Sequence, residues 1–323
     1  MCKSSGVDVA VIGLGLIGGS LLRALAAAGH RVTGFDADPT TREQAQAEGF
    51  AVAGSVAEAA RDADLVVLAV PLPVLDDVLG ELAGFAGLVT DVTSVKAPVL
   101  RLAGRHGLRR YVGGHPMAGK ETSGFAASEA GLFDGCAWVL CLEPQGTGLE
   151  DWLTLAALFT SIGARIVPVT AADHDRAVAE VSHVPHLFAA VLAGSLLDRP
   201  LDATLAAGSF RDGTRVAATR AELIVAMCGG NRVEVSKALH RMIGELETMR
   251  EQLESDPEQL LPYLRAAGGV RRTWPRAAGE PAGFPAEAET LLELGRAGGW
   301  ITAVAEDRRH VVGIRPETDR NPA

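Results

Sequence analysis

Short apolar runs alternate with helix-like stretches through the first half of the chain. Between Val7 and Val169 these runs read DVAVIG, RVTGFD, DLVVLAV, GLVTDV, RRYVGG, AWVLCLE and RIVPVT. Several are apolar at consecutive positions, as buried strands must be when helices cover both faces of a sheet. Strands that alternate with helices in this way are typical of parallel βαβ units. We therefore predict an α/β, Rossmann-type doubly wound sheet over residues 1–170.

Strand signals largely stop after Thr170, and helical periodicity takes over. The clearest helix follows Asn231, a favourable N-cap, with Glu234 three residues further on. Its apolar positions recur at alternating spacings of four and three, and they are Val235, Leu239, Met242, Leu246, Met249 and Leu253. We therefore predict an all-α domain over residues 171–265, with an apolar stripe that packs either on its own domain or on a partner subunit.

The last segment, residues 266–323, opens with a stretch rich in Gly, Pro and Arg, GGVRRTWPRAAGEPAGFP. Such composition is typical of loops and linkers. A short helical stretch and two possible strands, GWITAVAE and HVVGIRP, follow it. We predict a linker and a small C-terminal appendage here.

Composition and charge narrow the function classes. A chain of 323 residues with 48% apolar content suits two domains with a core each. The formal net charge of -10 would repel nucleic acid. The four cysteines lack CxxC pairing or regular spacing, and we find neither a leader nor an uninterrupted apolar run of about 18 residues. We expect a cytoplasmic protein that binds neither nucleic acid nor membrane.

The first predicted strand runs directly into a glycine-rich turn, GLGLIG, followed by an Ala/Leu-rich helix. In such a turn Gly13 permits the sharp bend, Gly15 lets the backbone approach a pyrophosphate, and Gly18 allows close packing of helix on strand. The backbone amides of the helix N-terminus, at Leu16 and Ile17, would then face the phosphates. This context predicts a dinucleotide-binding site.

The residue that closes the second strand discriminates between two dinucleotides. Asp36 lies 18 residues after Gly18, where a carboxylate can accept hydrogen bonds from both ribose hydroxyls and would repel a phosphate on either of them. Arg42 could meet such a phosphate, although a solvated helix face is the more ordinary place for it. We therefore expect NAD as the cofactor and not NADP.

A second informative block, GGHPMAGKETSG at residues 113–124, places His115 at the carboxyl end of the predicted sheet, where doubly wound folds bind ligands. Three more blocks accompany it: DVTSVK at 91–96, HDRAVAEVSHVPH at 174–186 and AAGSFRDGTRVA at 206–217. In order and spacing these four blocks resemble the prephenate dehydrogenase family, over roughly residues 7–255. The resemblance implies NAD-dependent oxidative decarboxylation of prephenate to 4-hydroxyphenylpyruvate in tyrosine biosynthesis.

The resemblance implies catalytic roles for two residues. His115 matches the histidine that accepts a hydrogen bond from the ring hydroxyl of the substrate. Hydride leaves the ring carbon that bears this hydroxyl. A neutral imidazole, with an ordinary pKa of about 6.5, is suited to draw off that proton. Ser94 matches a serine that hydrogen-bonds the same hydroxyl, although it could also cap the following helix. Loss of the ring carboxylate as CO2 makes the ring aromatic, so no metal is required.

Further matches concern binding of a small dicarboxylate substrate. Arg215 matches an arginine that binds one carboxylate, a task suited to the planar guanidinium. In the family, the helix with Ser182, His183 and His186 contributes polar groups to the substrate pocket, His186 being the better candidate, and Asp175 supports it. The same spacing could suit a metal cluster, but no further ligand with suitable spacing joins these residues.

The resemblance also implies a homodimer formed through the helical domain. Glu121, Arg211 and Asp212 match charged residues that form an ion-pair gate across the family's dimer interface. A solvated surface cluster is an equal alternative for these three residues, because exposed ion pairs are common and weak.

One departure from the family pattern affects substrate choice. Where many relatives carry Ser-Asp-Pro followed by Trp, this chain has AATRAELI at residues 217–224. The wall beside the substrate's side chain can therefore differ. Arogenate and 4-amino-4-deoxyprephenate are alternative substrates of the same chemistry, and a non-catalytic NAD-binding sensor is an alternative of another class.

Overall fold

The computed structural model of this chain describes residues 6–120 and 122–317. The chain divides into two compact units, which are described separately. The first unit comprises the residues up to His174 together with Gly279–Arg315. The helical unit comprises Asp175–Ala278 and the residues from Pro316 onward.

The first unit opens with a six-stranded parallel sheet. Its strands are β1 (Asp8–Ile12), β2 (Arg31–Phe35), β3 (Ala51–Val52), β4 (Leu65–Leu68), β5 (Leu88–Asp91) and β6 (Tyr111–Val112). The intervening helices are α1 (Leu16–Ala27), α2 (Pro39–Ala47), α3 (Val56–Ala60), α4 (Leu75–Glu81) and α5 (Ala97–Arg105). The strand order is β3-β2-β1-β4-β5-β6, so the direction of winding reverses between β1 and β4. This order is that of a dinucleotide-binding fold, and it confirms the predicted Rossmann-type architecture.

The same unit contains a second sheet of six strands, which is mixed. The chain adds β7 (Gly114–Pro116), β8 (Ala137–Cys141), α6 (Leu149–Ser161), β9 (Arg165–Val169), β10 (Ala282–Pro285), α14 (Ala288–Arg296), β11 (Trp300–Val304) and β12 (His310–Ile314). The strand order is β10-β12-β11-β9-β8-β7. Only β8 and β9 run parallel to each other, and the other pairs are antiparallel. The last two predicted parallel strands therefore belong to a separate sheet.

Aromatic side chains fill the space between this second sheet and its helices. The Trp138 ring stacks on Phe159, with centroids 4.0 Å apart, and Phe133 lies 4.9 Å from it on a tilted plane. All three side chains are fully buried. Such large apolar faces contribute most of the stability of a core, because each aromatic ring removes a large area from water.

The C-terminal strands share that core. Ile301 of β11 pairs with Ile166 of β9, and Leu291 and Leu294 of α14 are completely buried in the cluster that holds Trp138. The strands β11 and β12 agree with the two predicted runs. The predicted C-terminal appendage therefore consists of α14 and three strands, which extend one edge of the second sheet.

Helix α14 packs tightly against β9. A Cβ placed on Gly295 would lie 1.8 Å from the Pro168 carbonyl oxygen, so only glycine allows this approach. The helix also carries Arg296, whose Nε donates to Asp173 at 3.2 Å. Side-chain contacts of this kind are long-range, so the local Gly- and Pro-rich composition did not reveal them.

The helical unit follows α7 (Ala171–Val178), a helix that begins in the first unit. Its helices are α8 (Val184–Gly194), α9 (Pro200–Leu205), α10 (Gly208–Thr214), α11 (Ala221–Gly230), α12 (Arg232–Ser255) and α13 (Leu261–Thr273). A π-helical turn, Ala179–His183, joins α7 to α8. Since α13 continues to Thr273, the helical unit extends past the predicted boundary at residue 265.

The apolar stripe of α12 divides into two parts. Val235 is buried, and Leu239 and Met242 pack against the small core of the helical unit. Leu246 and Leu253, further along the stripe, are exposed. The first part of the stripe therefore packs on its own unit, and the second part is available to a partner.

One helical run among the described residues, 171–194, is long and apolar enough to span a membrane by length and composition alone. This differs from the sequence-based expectation, which counted only uninterrupted apolar runs. The run contains His174, Asp175 and His183, all buried in the folded chain. Ionisable side chains are costly in the centre of a bilayer, so they favour a helix of a folded domain over a membrane span.

Candidate active site

The glycine-rich turn after β1 has the geometry that a dinucleotide requires. Gly13 adopts φ +95°, and a Cβ there would lie 2.5 Å from the Ala69 carbonyl oxygen. Gly18 lies against the backbone of Gly13, where a Cβ would meet the carbonyl oxygen at 1.8 Å. Gly15, in contrast, faces open space. The turn is therefore compact on the protein side and open on the side from which a pyrophosphate would approach.

The N-terminus of α1 completes this turn. Helix α1 begins with Leu16 and Ile17. Its N-cap is Gly15, which has no side chain that could occupy the space in front of the helix. The amides of the first helical turn and the positive end of the helix dipole thus lie where an anion would be stabilised. The residues present fit the phosphates of NAD.

Asp36 follows β2 and holds the same turn. One carboxylate oxygen accepts a hydrogen bond from the Leu14 amide at 2.7 Å, and the other accepts from the Asp38 amide at 2.9 Å. Arg42 donates to the backbone carbonyl of Asp36 at 2.6 Å and to that of Ala37 at 3.1 Å. The Arg42 guanidinium therefore lies beside the predicted ribose site, bound to the backbone after β2.

His115 lies where the chain passes from one sheet to the other. β6 pairs with β5 in the first sheet, and only one residue, Gly113, separates it from β7, which pairs with β8 in the second. At Gly114 a Cβ would lie 2.5 Å from the Asp91 carbonyl oxygen, so glycine is needed for β7 to pass this close to β5. This passage places half-buried His115 near the carboxyl edge of the parallel sheet.

The His115 imidazole contacts a second imidazole. Its Nδ1 lies 2.9 Å from Nε2 of His174, and the two rings meet edge to face with centroids 5.1 Å apart. His174 is buried at the start of α7, where its amide donates to the Thr170 carbonyl. His174 opens the block HDRAVAEVSHVPH, but the sequence alone does not indicate a role for it. Its only signal in the sequence is its position a few residues after β9, at the start of that block.

Ser94 lies in the loop between β5 and α5 and is half-buried. The N-cap of α5 is Lys96, so the structure does not use Ser94 to cap that helix. Strands β5 and β6 are neighbours, about 5 Å apart. Consequently the Ser94 loop and the segment that carries His115 leave adjacent strands at the same edge of the sheet.

A buried polar network lies beneath this edge. Both Asp91 and Lys96 are inaccessible to solvent, and Lys96 donates to the Asp91 carboxylate and to the Gly114 carbonyl. Tyr111 donates to the other Asp91 oxygen at 2.5 Å, and the Gly114 amide donates to it at 3.3 Å. Burial, and then the charge of Asp91, raises the pKa of the Tyr111 phenol well above its ordinary value, so the phenol stays a donor. In the sequence, Asp91 and Lys96 are recognisable only as members of the DVTSVK block.

In the helical unit, Asn231 brings two of the predicted residues together. Its side-chain amide donates to the Asp175 carbonyl at 2.6 Å and lies 3.2 Å from Nδ1 of His183. Asn231 occupies the N-cap position of α12, as predicted, but its side chain makes these long-range contacts and does not cap the helix. Since Asp175 and His183 are both buried, this geometry favours a supporting role over direct substrate contact.

His186 and Arg215 also lie near each other in the helical unit. Nδ1 of His186 is 3.3 Å from the carbonyl oxygen of Val216, the residue after Arg215. His186 is half-buried with neighbouring Ser182, whereas Arg215 is exposed at the start of a short 3-10 turn. His186 therefore lies beside the backbone turn that carries Arg215, and an imidazole and a guanidinium are both side chains that can bind a carboxylate.

The structure describes two of the three residues of the predicted ion-pair gate. Arg211 and Asp212 are exposed on α10, while Glu121 lies outside the described residues. The gate therefore stays a prediction. Within 6–120 and 122–317, no group of three His, Cys, Asp or Glu side chains has an arrangement that could hold a metal ion.

Two family models match this chain in succession. The nucleotide-binding domain of prephenate dehydrogenase matches residues 21–168, and the prephenate dehydrogenase dimerization domain matches residues 170–266. The segment that adds β10 to β12 lies beyond both matches.

Individual proteins agree with the family models. Prephenate dehydrogenase from Lactococcus lactis subsp. cremoris is 34% identical, over 65% of this chain and 60% of the relative, so the chain spans less than two thirds of that protein. Cyclohexadienyl dehydrogenase from Zymomonas mobilis is 32% identical over 81% of this chain and 94% of the relative. A crystal structure of prephenate dehydrogenase from Aquifex aeolicus in complex with hydroxyphenyl propionate and NAD+ superimposes with a TM-score of 0.78, at 26% identity over 84% of this chain and 99% of that one.

The fold, the dinucleotide turn and these similarities agree with one another. The parallel sheet has the strand order of a dinucleotide-binding domain, and the second family match, residues 170–266, overlaps most of the helical unit. The chain therefore belongs to the prephenate dehydrogenase family of NAD-dependent dehydrogenases.

Proposed function

We propose that this chain catalyses the NAD-dependent oxidative decarboxylation of prephenate to 4-hydroxyphenylpyruvate, a step of tyrosine biosynthesis. The observation that carries the proposal is the imidazole pair of His115 and His174 at the edge of the sheet that also holds the dinucleotide turn. The names of the relatives support the reaction class. A sensor that only bound NAD would need no proton acceptor at this place.

His115 would accept the proton of the ring hydroxyl. When Nδ1 of His115 carries its hydrogen and donates it to Nε2 of His174, the lone pair of a neutral His115 lies on Nε2. That nitrogen is then the base as the hydroxyl becomes a carbonyl. His174 thus holds His115 in the tautomer and ring orientation that the reaction requires, in the manner of the third member of a catalytic triad.

The cofactor supplies one function: bound NAD+ accepts the hydride from the ring carbon that bears the hydroxyl. The turn at Gly13, Gly15 and Gly18 would bind its pyrophosphate, and Asp36 its ribose. Ser94 would hydrogen-bond the same hydroxyl from the loop after β5. The C–C bond to the ring carboxylate would then break and CO2 would leave. The electron pair of that bond would complete the aromatic ring, and the former carbonyl oxygen would take the proton back from His115 to become the phenol hydroxyl of the product.

Residues of the helical unit would bind the substrate carboxylates. Arg215 and His186 are our candidates for direct contact, together with Ser182. Asp175 and His183, whose segment is held by Asn231, would have a supporting role. A dicarboxylate needs at least one cation to offset its charge in a closed site.

The test is an assay of the purified chain with NAD+ and prephenate, arogenate or 4-amino-4-deoxyprephenate. Formation of NADH together with CO2 from prephenate at the highest kcat/KM would support the proposal. A preference for either amino analogue would assign the same chemistry to another substrate, and the altered segment 217–224 is the place where the chain departs from the family pattern. Absence of turnover with all three would contradict the proposal.

Removing the Arg215 guanidinium is expected to weaken substrate binding selectively. In Arg215→Ala we expect KM for prephenate to rise about tenfold or more, because a charge-assisted carboxylate contact is lost, with a smaller change in kcat. Steady-state kinetics measure both constants. Arg199→Ala, an exposed arginine of the same unit paired with Asp202, is the matched control. A KM near the wild-type value would remove Arg215 from the substrate site.

Neutralising Asp36 is expected to reduce the preference for NAD over NADP. Asp36→Asn keeps an oxygen that can accept from the Leu14 amide, but removes the charge that would repel a ribose phosphate, beside a ready cation in Arg42. We expect the ratio of kcat/KM for NAD to that for NADP to fall about tenfold. Asp38→Asn serves as control, since Asn also caps α2. An unchanged ratio would show that Asp36 does not face the ribose.

We further propose a cytoplasmic homodimer formed through the helical unit. Apolar side chains are strongly exposed there, including Val191, Leu197 and Leu205, each more than two thirds accessible. Exposed apolar area of this extent usually marks an interface. The gate of Glu121, Arg211 and Asp212 is proposed to lie at that interface.

A further inference from the structure

The buried ion pair of Asp91 and Lys96 has no task in the reaction as proposed. The Lys96 side chain is 1% exposed and that of Asp91 0%, so neither can reach a substrate. Taking two charges out of water is costly, and replacing a buried pair by apolar side chains of similar volume is often neutral or stabilising. Fold stability alone therefore gives a weak reason for this pair, and its location suggests another.

Side-chain hydrogen bonds of the pair connect the segments that carry Ser94 and His115. Asp91 is the last residue of β5 and accepts from the Thr93 amide at 2.8 Å, which shapes the loop just before Ser94. Lys96 lies two residues after Ser94 and also approaches the Thr93 hydroxyl at 3.2 Å. The Ser94 loop is thus held at both ends by the two charged groups.

The other side of the network holds the strand of His115. Asp91 accepts from the Gly114 amide, and Lys96 donates to the Gly114 carbonyl. Both backbone polar groups of the residue before His115 are therefore bound by opposite members of one ion pair. A shift of β7 relative to the Ser94 loop would break at least one of these charge-assisted hydrogen bonds.

We infer that Asp91 and Lys96 are positioning residues, which hold the Ser94 loop and the His115 strand in register through the backbone of Gly114. The inference rests on the proposed function, since it assigns the pair a task toward Ser94 and His115. Tyr111 on β6 stabilises the Asp91 carboxylate by donating a hydrogen bond from its neutral hydroxyl. Misplacement of reacting groups by about 1 Å can cost on the order of a hundredfold in rate.

The experiment compares Lys96→Met with the double variant Asp91→Asn/Lys96→Met. The single variant leaves a buried carboxylate without its cation, so we expect a lower thermal midpoint and a kcat reduced about tenfold or more. The double variant removes both charges, so the midpoint should recover while kcat stays low. KM for NAD+ should change less than twofold in either variant. Lys237→Met, at an exposed lysine paired with Glu234, should match wild type.

A second readout does not depend on turnover. The ring signals of His115 in ¹⁵N-histidine NMR spectra, assigned by their loss in His115→Asn, should shift in the double variant and in the milder Tyr111→Phe, while those of exposed His240 stay in place. Tyr111→Phe keeps the experiment informative if Lys96→Met does not fold.

Two outcomes would overturn the inference. One is a double variant whose kcat recovers together with its thermal midpoint. The other is a set of His115 ring signals that is unchanged in both the double variant and Tyr111→Phe. Wild-type protein that turns over none of the three substrates would contradict the proposed function instead. The NMR comparison would still decide whether the pair positions His115.

Discussion

His115→Asn is expected to lower kcat with prephenate by two or more orders of magnitude, while the dissociation constant for NAD+ changes less than about twofold. Asparagine keeps hydrogen-bonding capacity near His174 but cannot accept a proton, and general-base assistance contributes typically 10²- to 10⁴-fold. The dinucleotide turn follows a different strand and is untouched by this change. Steady-state kinetics and a titration of NAD+ binding measure the two quantities.

The control for this substitution is His240→Asn, at an exposed histidine of α12, which should keep wild-type kinetics. Turnover of His115→Asn within threefold of wild type would show that another group takes the proton. Equal loss of NAD+ binding and turnover would instead indicate a structural role for His115.

Deleting everything after Ala278 is expected to abolish cooperative folding of the first unit. The deletion removes α14 and β11 and, with them, Leu291, Leu294 and Ile301, all completely buried. Truncating one such side chain to Ala typically costs about 2–5 kcal/mol, and the whole stability of a domain is about 5–15 kcal/mol. The expected result is aggregation on expression or loss of the cooperative thermal transition. Thermal unfolding monitored by circular dichroism measures this transition.

The matched control ends the chain after Glu317 and retains every strand of the second sheet. A point variant, Gly295→Val, tests the same packing more gently, since its side chain would collide with the Pro168 carbonyl. If the longer deletion melted at the wild-type midpoint, the C-terminal segment would be the separable appendage that its composition predicts.

Local periodicity was sufficient to predict the first sheet. The consecutive apolar residues of β4 and β5, all buried, reflect a sheet covered on both faces. The Gly13 turn was recognisable because its chemistry is local: three glycines, one strand and one helix. The two residues of β3, in contrast, have too short a pattern to stand out.

Long-range pairing could not be predicted in the same way. Nothing in the sequence around Ile301 identifies Ile166 as its partner, because the register of an antiparallel pair depends on distant side chains. The contact between His115 and His174 likewise joins two segments that are 59 residues apart. Asn231 was read correctly as the start of α12, but its contacts with Asp175 and His183 required the folded chain.

The strands of the second sheet come from distant parts of the chain, and this has a consequence for folding during synthesis. Strands β8 and β9 leave the ribosome before the entire helical unit, whereas β11 and β12 follow it. At about 5–20 residues per second, roughly 7–30 seconds pass between the synthesis of β9 and that of its neighbour β11. The second sheet therefore stays incomplete while the helical unit is synthesised, and the residues that β11 and α14 bury against it are exposed until those elements are made.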